Sequence, residues 1–187
     1  MPNPFIPRAD VHAWSEAIAE QPDQHQAALS RLLKDQRRLT RFVEENAGSM
    51  HPATGGIASY MIGVVTRIFD LAGGKLKGAT WAQVRSAEGR VMAAVGDLLP
   101  LDDGLIERAR AAERAQPHIL DEAIRALFQT EIGEDEEEPD PAELFKIYLL
   151  MWVATEVLDH NWRAPDGYDG ETEYSYVHIE PEDAAEE

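Results

Sequence analysis

The segment Leu144 to Leu158 constrains this chain most, because it reads as a helix yet is apolar on nearly every side, with Phe145, Tyr148, Met151 and Trp152 spread around it. A helix without a polar face has to be enclosed by other elements, so it predicts a bundle with this helix at the centre. Its start is marked by Asp140 as N-cap, Pro141 at the first helical position and Glu143 in the first turn. The helix is expected over about 141–161.

Six further helical stretches follow from periodicity and capping signals. Asp10 reads as the N-cap of the first, with Val11, Trp14 and Ile18 on one face and Pro22 as its end. The second runs from Asp23 to about Asn46, burying Leu29, Leu32, Leu39, Phe42 and Val43. From about Ala53 to Ala72, Ile57, Met61, Val64, Ile68 and Leu71 form an apolar line, and Gly56, Ser59, Gly63 and Thr66 a second line of small residues suited to close helix approach. Thr80 and Gln83 form a capping box for a helix ending near Leu99. A shorter helix is expected from Asp103 to Ala115, and another from Pro117 burying Leu120, Ala123, Ile124, Leu127 and Phe128. The prediction is an all-α, single-domain bundle of about six to seven helices over residues 1–163, with an acidic extended segment at 164–187. Within that segment the alternation Tyr174-Ser175-Tyr176-Val177-His178-Ile179 predicts an extended stretch that packs flat on the bundle or pairs with a partner or a second copy.

The formal net charge of -18 is regional. Glu131 to Glu143 holds eight acidic residues and Asp166 to Glu187 nine, neither with any Lys or Arg, which leaves 18 acidic residues against all 17 Lys and Arg in the rest of the chain. The bundle is thus close to neutral, with an acidic linker at 131–140 inside it and an acidic tail after it. Single-sign blocks usually remain solvated and repel themselves, and they also suit a basic protein partner. Glu136, Glu137 and Glu138 in the linker, with Tyr174 and Tyr176 in the tail, are the candidate partner-binding residues.

Several classes are excluded or disfavoured. The chain has no cysteine, so disulfides, thiolate metal sites and cysteine nucleophiles are out. Met1 to Pro7 holds three prolines and lacks the basic-then-apolar pattern of a secretory signal, so a cytoplasmic location is expected. The Gly55 to Thr66 stretch is shorter than the roughly 20 residues of a membrane span, so no membrane association is expected. Thirteen Arg against four Lys point to a GC-rich bacterial genome. Gly73-Gly74-Lys75-Leu76 lacks the residues a phosphate loop requires, and no serine-hydrolase elbow, zincin pair, dinucleotide fingerprint or EF-hand loop occurs. No cofactor is implied, and the balance leans away from an enzyme.

Four constellations remain. Glu156, Asp159 and His160 are the candidate metal or catalytic group, although the Glu-x-x-His spacing of a di-iron bundle fails because Asp159 stands where the histidine belongs. His118, Asp121 and Glu122 share a helix face opposite the apolar line and are expected to be solvated. Glu88 lies among Val84, Val91 and Val95, and a buried ion pair with Arg67 is expected to satisfy it. Arg31, Lys34, Arg38 and Arg41 follow i, i+3, i+7, i+10 spacing and form a candidate anion-binding stripe. Long-range repulsion from the net charge of -18 disfavours nucleic acid as the ligand. The leading expectation is therefore a non-enzymatic interaction or regulatory protein of inhibitor or immunity type that binds a basic partner. A helical-bundle enzyme or metal-binding protein and an anion or nucleic-acid binder whose Arg31 to Arg41 stripe is masked are the alternatives.

Overall fold

The computed structural model describes residues 3–129 and 139–176. Eight helices follow one another among them: α1 (Arg8–Glu20), α2 (Pro22–Asp35), α3 (Arg37–Ala47), α4 (Pro52–Leu71), α5 (Trp81–Leu98), α6 (Leu105–Ala111), α7 (Pro117–Phe128) and α8 (Pro141–Asn161). A two-residue strand β1 (Lys75–Leu76) pairs antiparallel with β2 (Trp162–Arg163), in the register Lys75 to Arg163 and Leu76 to Trp162. The architecture is an all-α bundle. No helix among the described residues is long and apolar enough to cross a membrane.

Proline opens four of these helices, α2, α4, α7 and α8, at a position where its missing N–H removes no intrahelical bond. The capping box at α5 forms as expected between Thr80 and Gln83, and Asp140 caps α8 by accepting from the Ala142 N–H at 2.9 Å. α8 occupies the centre, packed against α3, α4, α5 and α7, and its residues are buried on all sides from Leu144 to Leu158. The line of small residues on α4 is half used: Gly63 lets Leu29 of α2 approach closely, whereas Gly56 and Ser59 face solvent.

The expected single helix from Asp23 to Asn46 is two helices. They meet at Gln36, which is buried. Its side chain leaves the helical surface to serve the loop before α5, accepting from the Ala79 N–H at 3.0 Å and donating to the Lys77 carbonyl at 3.0 Å. The Leu33 carbonyl, which a continuous helix would pair with the Arg37 N–H, accepts instead from the Thr40 hydroxyl at 3.1 Å. This junction ties the start of α5 to α3.

Two left-handed glycines, Gly73 and Gly74, close α4 and turn the chain into β1. At Gly74 a Cβ would collide with the Arg163 carbonyl oxygen, so only glycine allows this approach of the β1 and β2 backbones. Beyond β2 the chain returns across the bundle. Phe5 and Glu171 form an antiparallel bridge, with the Phe5 N–H donating to the Glu171 carbonyl at 2.7 Å and the reverse bond at 2.9 Å. The described part of the C-terminal segment therefore packs flat on the bundle. The expected partner-binding residues Glu136, Glu137 and Glu138 lie outside the described residues, as do Val177 to Ile179.

Candidate functional site

Most ionisable groups inside the bundle are held by fixed partners, and the polar face of α7 is the clearest case. It was expected to be solvated, yet His118, Asp121 and Glu122 are only 1%, 2% and 8% exposed. They are covered by α1, by the α6–α7 connection and by the returning C-terminal segment. Glu122 is paired with Arg8 of α1 and accepts from Arg125 at 2.5 Å. Burial alone would push the Glu122 carboxyl up, but hydrogen bonds from Arg125 and Arg8 outweigh it and hold the group below its ordinary value. Asp121 accepts from Arg114 at 2.9 Å and from the Tyr174 hydroxyl at 2.8 Å, while Glu171 lies 2.6 Å from His118 Nε2. Burial, reinforced by Asp121, pushes the Tyr174 phenol up to about 12. Tyr174 is thus an internal anchor, and the ring of Tyr176 carries the Arg110 guanidinium at 3.5 Å.

Glu156 and Asp159 both line a cleft of about 600 Å³ with Arg90, Arg114, Trp152 and Phe5. Glu156 accepts from the Ala115 N–H at 3.2 Å, from the Trp152 indole at 3.3 Å and from Arg90 at 3.4 Å. Asp159 accepts from Gln116 at 2.8 Å and, more weakly, from Asn3 at 3.4 Å. Burial raises its carboxyl above the ordinary value despite these bonds. His160 is exposed and does not join the two carboxylates. Among the described residues no three His, Asp or Glu side chains converge in a way that could hold a metal ion.

The Arg67–Glu88 pair does not form. Arg67 is bonded to Asp70 one turn on and lies 3.3 Å from His25 of α2, whereas Glu88 is half-buried with no ion-pair partner among the described residues. α4 packs on α1, α2, α3 and α8, and α5 packs on α3, α6 and α8. The two side chains therefore face different neighbours, a separation that periodicity within each helix cannot reveal.

The basic stripe is also divided, because the Gln36 junction interrupts its helical spacing. Arg31 stays on α2 and reaches Asp70 of α4 at 3.3 Å, and Lys34 is exposed nearby. Arg38 and Arg41 belong to α3, where they meet a residue that the stripe did not include. Together with Arg37 and Trp81, they line a depression of about 430 Å³, and no carboxylate among the described residues lines it. Arg38 Nη1 donates to the Ala79 carbonyl at 3.2 Å, immediately before α5, and Arg41 Nε donates to Glu45 at 2.7 Å. Trp81 is partly buried and packs on the core, which fixes its ring. Arg85, four residues after Trp81 and so on the same side of α5, is exposed. Lys34, Arg37 and Arg85 have no carboxylate partner among the described residues. Trp81 is the first residue of α5, and nothing in the periodicity of that helix links it to the arginines. The residues that bring it to the arginines are Gln36 and the 77–79 loop.

Family models, curated proteins and solved structures show no match to this chain.

Proposed function

We propose that this chain is a binding protein that takes an anionic ligand on the basic face formed by α3 and the start of α5. The observation that carries this reading is that Arg37, Arg38 and Arg41 line one depression with Trp81, and that no carboxylate among the described residues lines it. Arg41 is paired with Glu45 at 2.7 Å, but Arg37 has no carboxylate partner among the described residues and none of the residues lining the depression is acidic, so the cluster keeps a surplus of positive charge. Cationic groups that share one face repel one another, more so where water is partly excluded, and an anion bound among them relieves that repulsion. Arginine also offers a planar fork of donors suited to phosphate or carboxylate oxygens.

The test is a calorimetric titration of the full chain with pyrophosphate at low and moderate salt. Saturable binding that weakens with salt and is lost in the Arg37→Ala/Arg41→Ala variant supports the reading. No binding at millimolar pyrophosphate, or binding indifferent to both substitutions, contradicts it.

A second reading, a regulatory protein with a basic protein partner, is favoured by the concentration of seventeen acidic residues in Glu131–Glu143 and Asp166–Glu187 with no intervening cation in either block. Partner capture that survives removal of residues 177–187 and is insensitive to salt would contradict it.

A further inference from the structure

We infer that the ligand of the Arg37, Arg38, Arg41 and Trp81 pocket is a nucleoside phosphate, its base stacked on the Trp81 ring and its phosphates on the arginines. This rests on the anion-binding reading above and specifies it. Trp81 supplies a flat ring held by its contacts with the core, while the guanidinium groups belong to α3. An inorganic anion would engage the arginines and leave the indole without a partner. A ligand that joins a planar ring to a phosphate group uses both parts. Indole stacking is tolerant of base identity, because every base has a π-face, so the pocket selects the class and not the particular base.

Size and charge narrow the class further. At about 430 Å³ the depression lies at the small end of the range for small-molecule sites, which suits one base with its phosphates. An extended polyanion would approach a chain of net charge -18 against long-range repulsion, whereas a mononucleotide carries only a few charges to this basic face. Arg38 is already tethered to the Ala79 carbonyl, so part of the cation arrangement is set before a ligand arrives.

Calorimetry on the full chain with ADP, adenosine, pyrophosphate and a single-stranded oligonucleotide decides the matter. ADP should bind roughly tenfold or more tightly than pyrophosphate, the increment expected for stacking one base on an aromatic ring. Arg37→Ala/Arg41→Ala should abolish ADP and pyrophosphate binding alike. Trp81→Leu should bring ADP down to the level of pyrophosphate and leave pyrophosphate unchanged. Because Trp81 touches the core, its variant is compared only after its melting curve shows a folded protein, and the two exposed arginines keep the test decisive if it does not fold. Pyrophosphate binding as tight as ADP overturns the nucleoside assignment while leaving the anion reading intact. Absence of binding by either overturns both. ADP binding that survives the arginine substitutions, or an oligonucleotide that binds where ADP does not, also overturns the inference.

Discussion

Replacing Asp121 by alanine should be among the most damaging single changes in this protein. The side chains of Asp121 and Arg114 are 1% and 0% exposed, and Tyr174 donates to the second Asp121 oxygen at 2.8 Å. Removing the carboxylate leaves a buried guanidinium without its counter-charge and a phenol without its acceptor. Breaking a buried pair in this way costs about 3–5 kcal/mol. For a chain of this length, with roughly 2–4 °C of melting temperature per kcal/mol, the loss corresponds to a drop of about 10 °C or somewhat more. Urea unfolding followed by circular dichroism measures it, and the denaturant slope should stay unchanged if only stability is affected. The double variant Arg114→Met/Asp121→Leu should recover much of the loss, since two apolar groups leave no unpaired charge. A cost for Asp121→Ala below about 1 kcal/mol, typical of an exposed pair, would refute the enclosure of the α7 polar face.

Other positions give independent checks. Gly74→Ala should destabilise by at least about 2 kcal/mol, because it combines a left-handed backbone with a collision against the Arg163 carbonyl, and thermal melting reads this directly. Tyr148, Tyr168 and Tyr174 are pushed up to about 12, chiefly by burial. Their folded values exceed the unfolded value near 10, so their contribution to stability is complete below about pH 10 and is lost as pH rises toward 12. Tyrosinate absorbance should show these three ionising late, and all five tyrosines ionising together near pH 10 would contradict their burial. The Asp159 carboxyl is raised by burial, so the folded state resists its ionisation and stability falls as pH rises through its titration. Asp159→Asn should therefore be neutral or stabilising at pH 7, with any gain vanishing at acid pH, as followed by melting temperature against pH.

Much of the fold was legible because it rests on local chemistry. The Thr80 and Gln83 box, the Asp140 cap and the prolines that open α7 and α8 are signals carried by a few neighbouring residues, whereas Pro22 reads in the sequence as the end of α1 and is instead the first residue of α2. The central place of α8 followed from its lack of a polar face. What escaped the sequence reading depends on partners far along the chain. Glutamine is a good helix former, yet the helix breaks at Gln36, whose side chain bonds the Lys77 and Ala79 backbone 41 and 43 residues on. The α7 face looked solvated because its cover comes from Arg8 on one side and from Glu171 and Tyr174 on the other. In the basic pocket Arg38 and Arg41 were part of the expected stripe, whereas Arg37 and the Trp81 indole were not, since the Gln36 junction that brings α5 to α3 has no signature in the periodicity of either helix.

The basic pocket is the centre of this account, and amide and indole chemical-shift mapping during an ADP titration tests it most directly. Shifts confined to the Trp81 indole, the backbone of Arg37 to Arg41 and the start of α5 are expected. Shifts centred instead on the cleft of Trp152, Glu156 and Asp159, or no shifts at millimolar ADP, would contradict it.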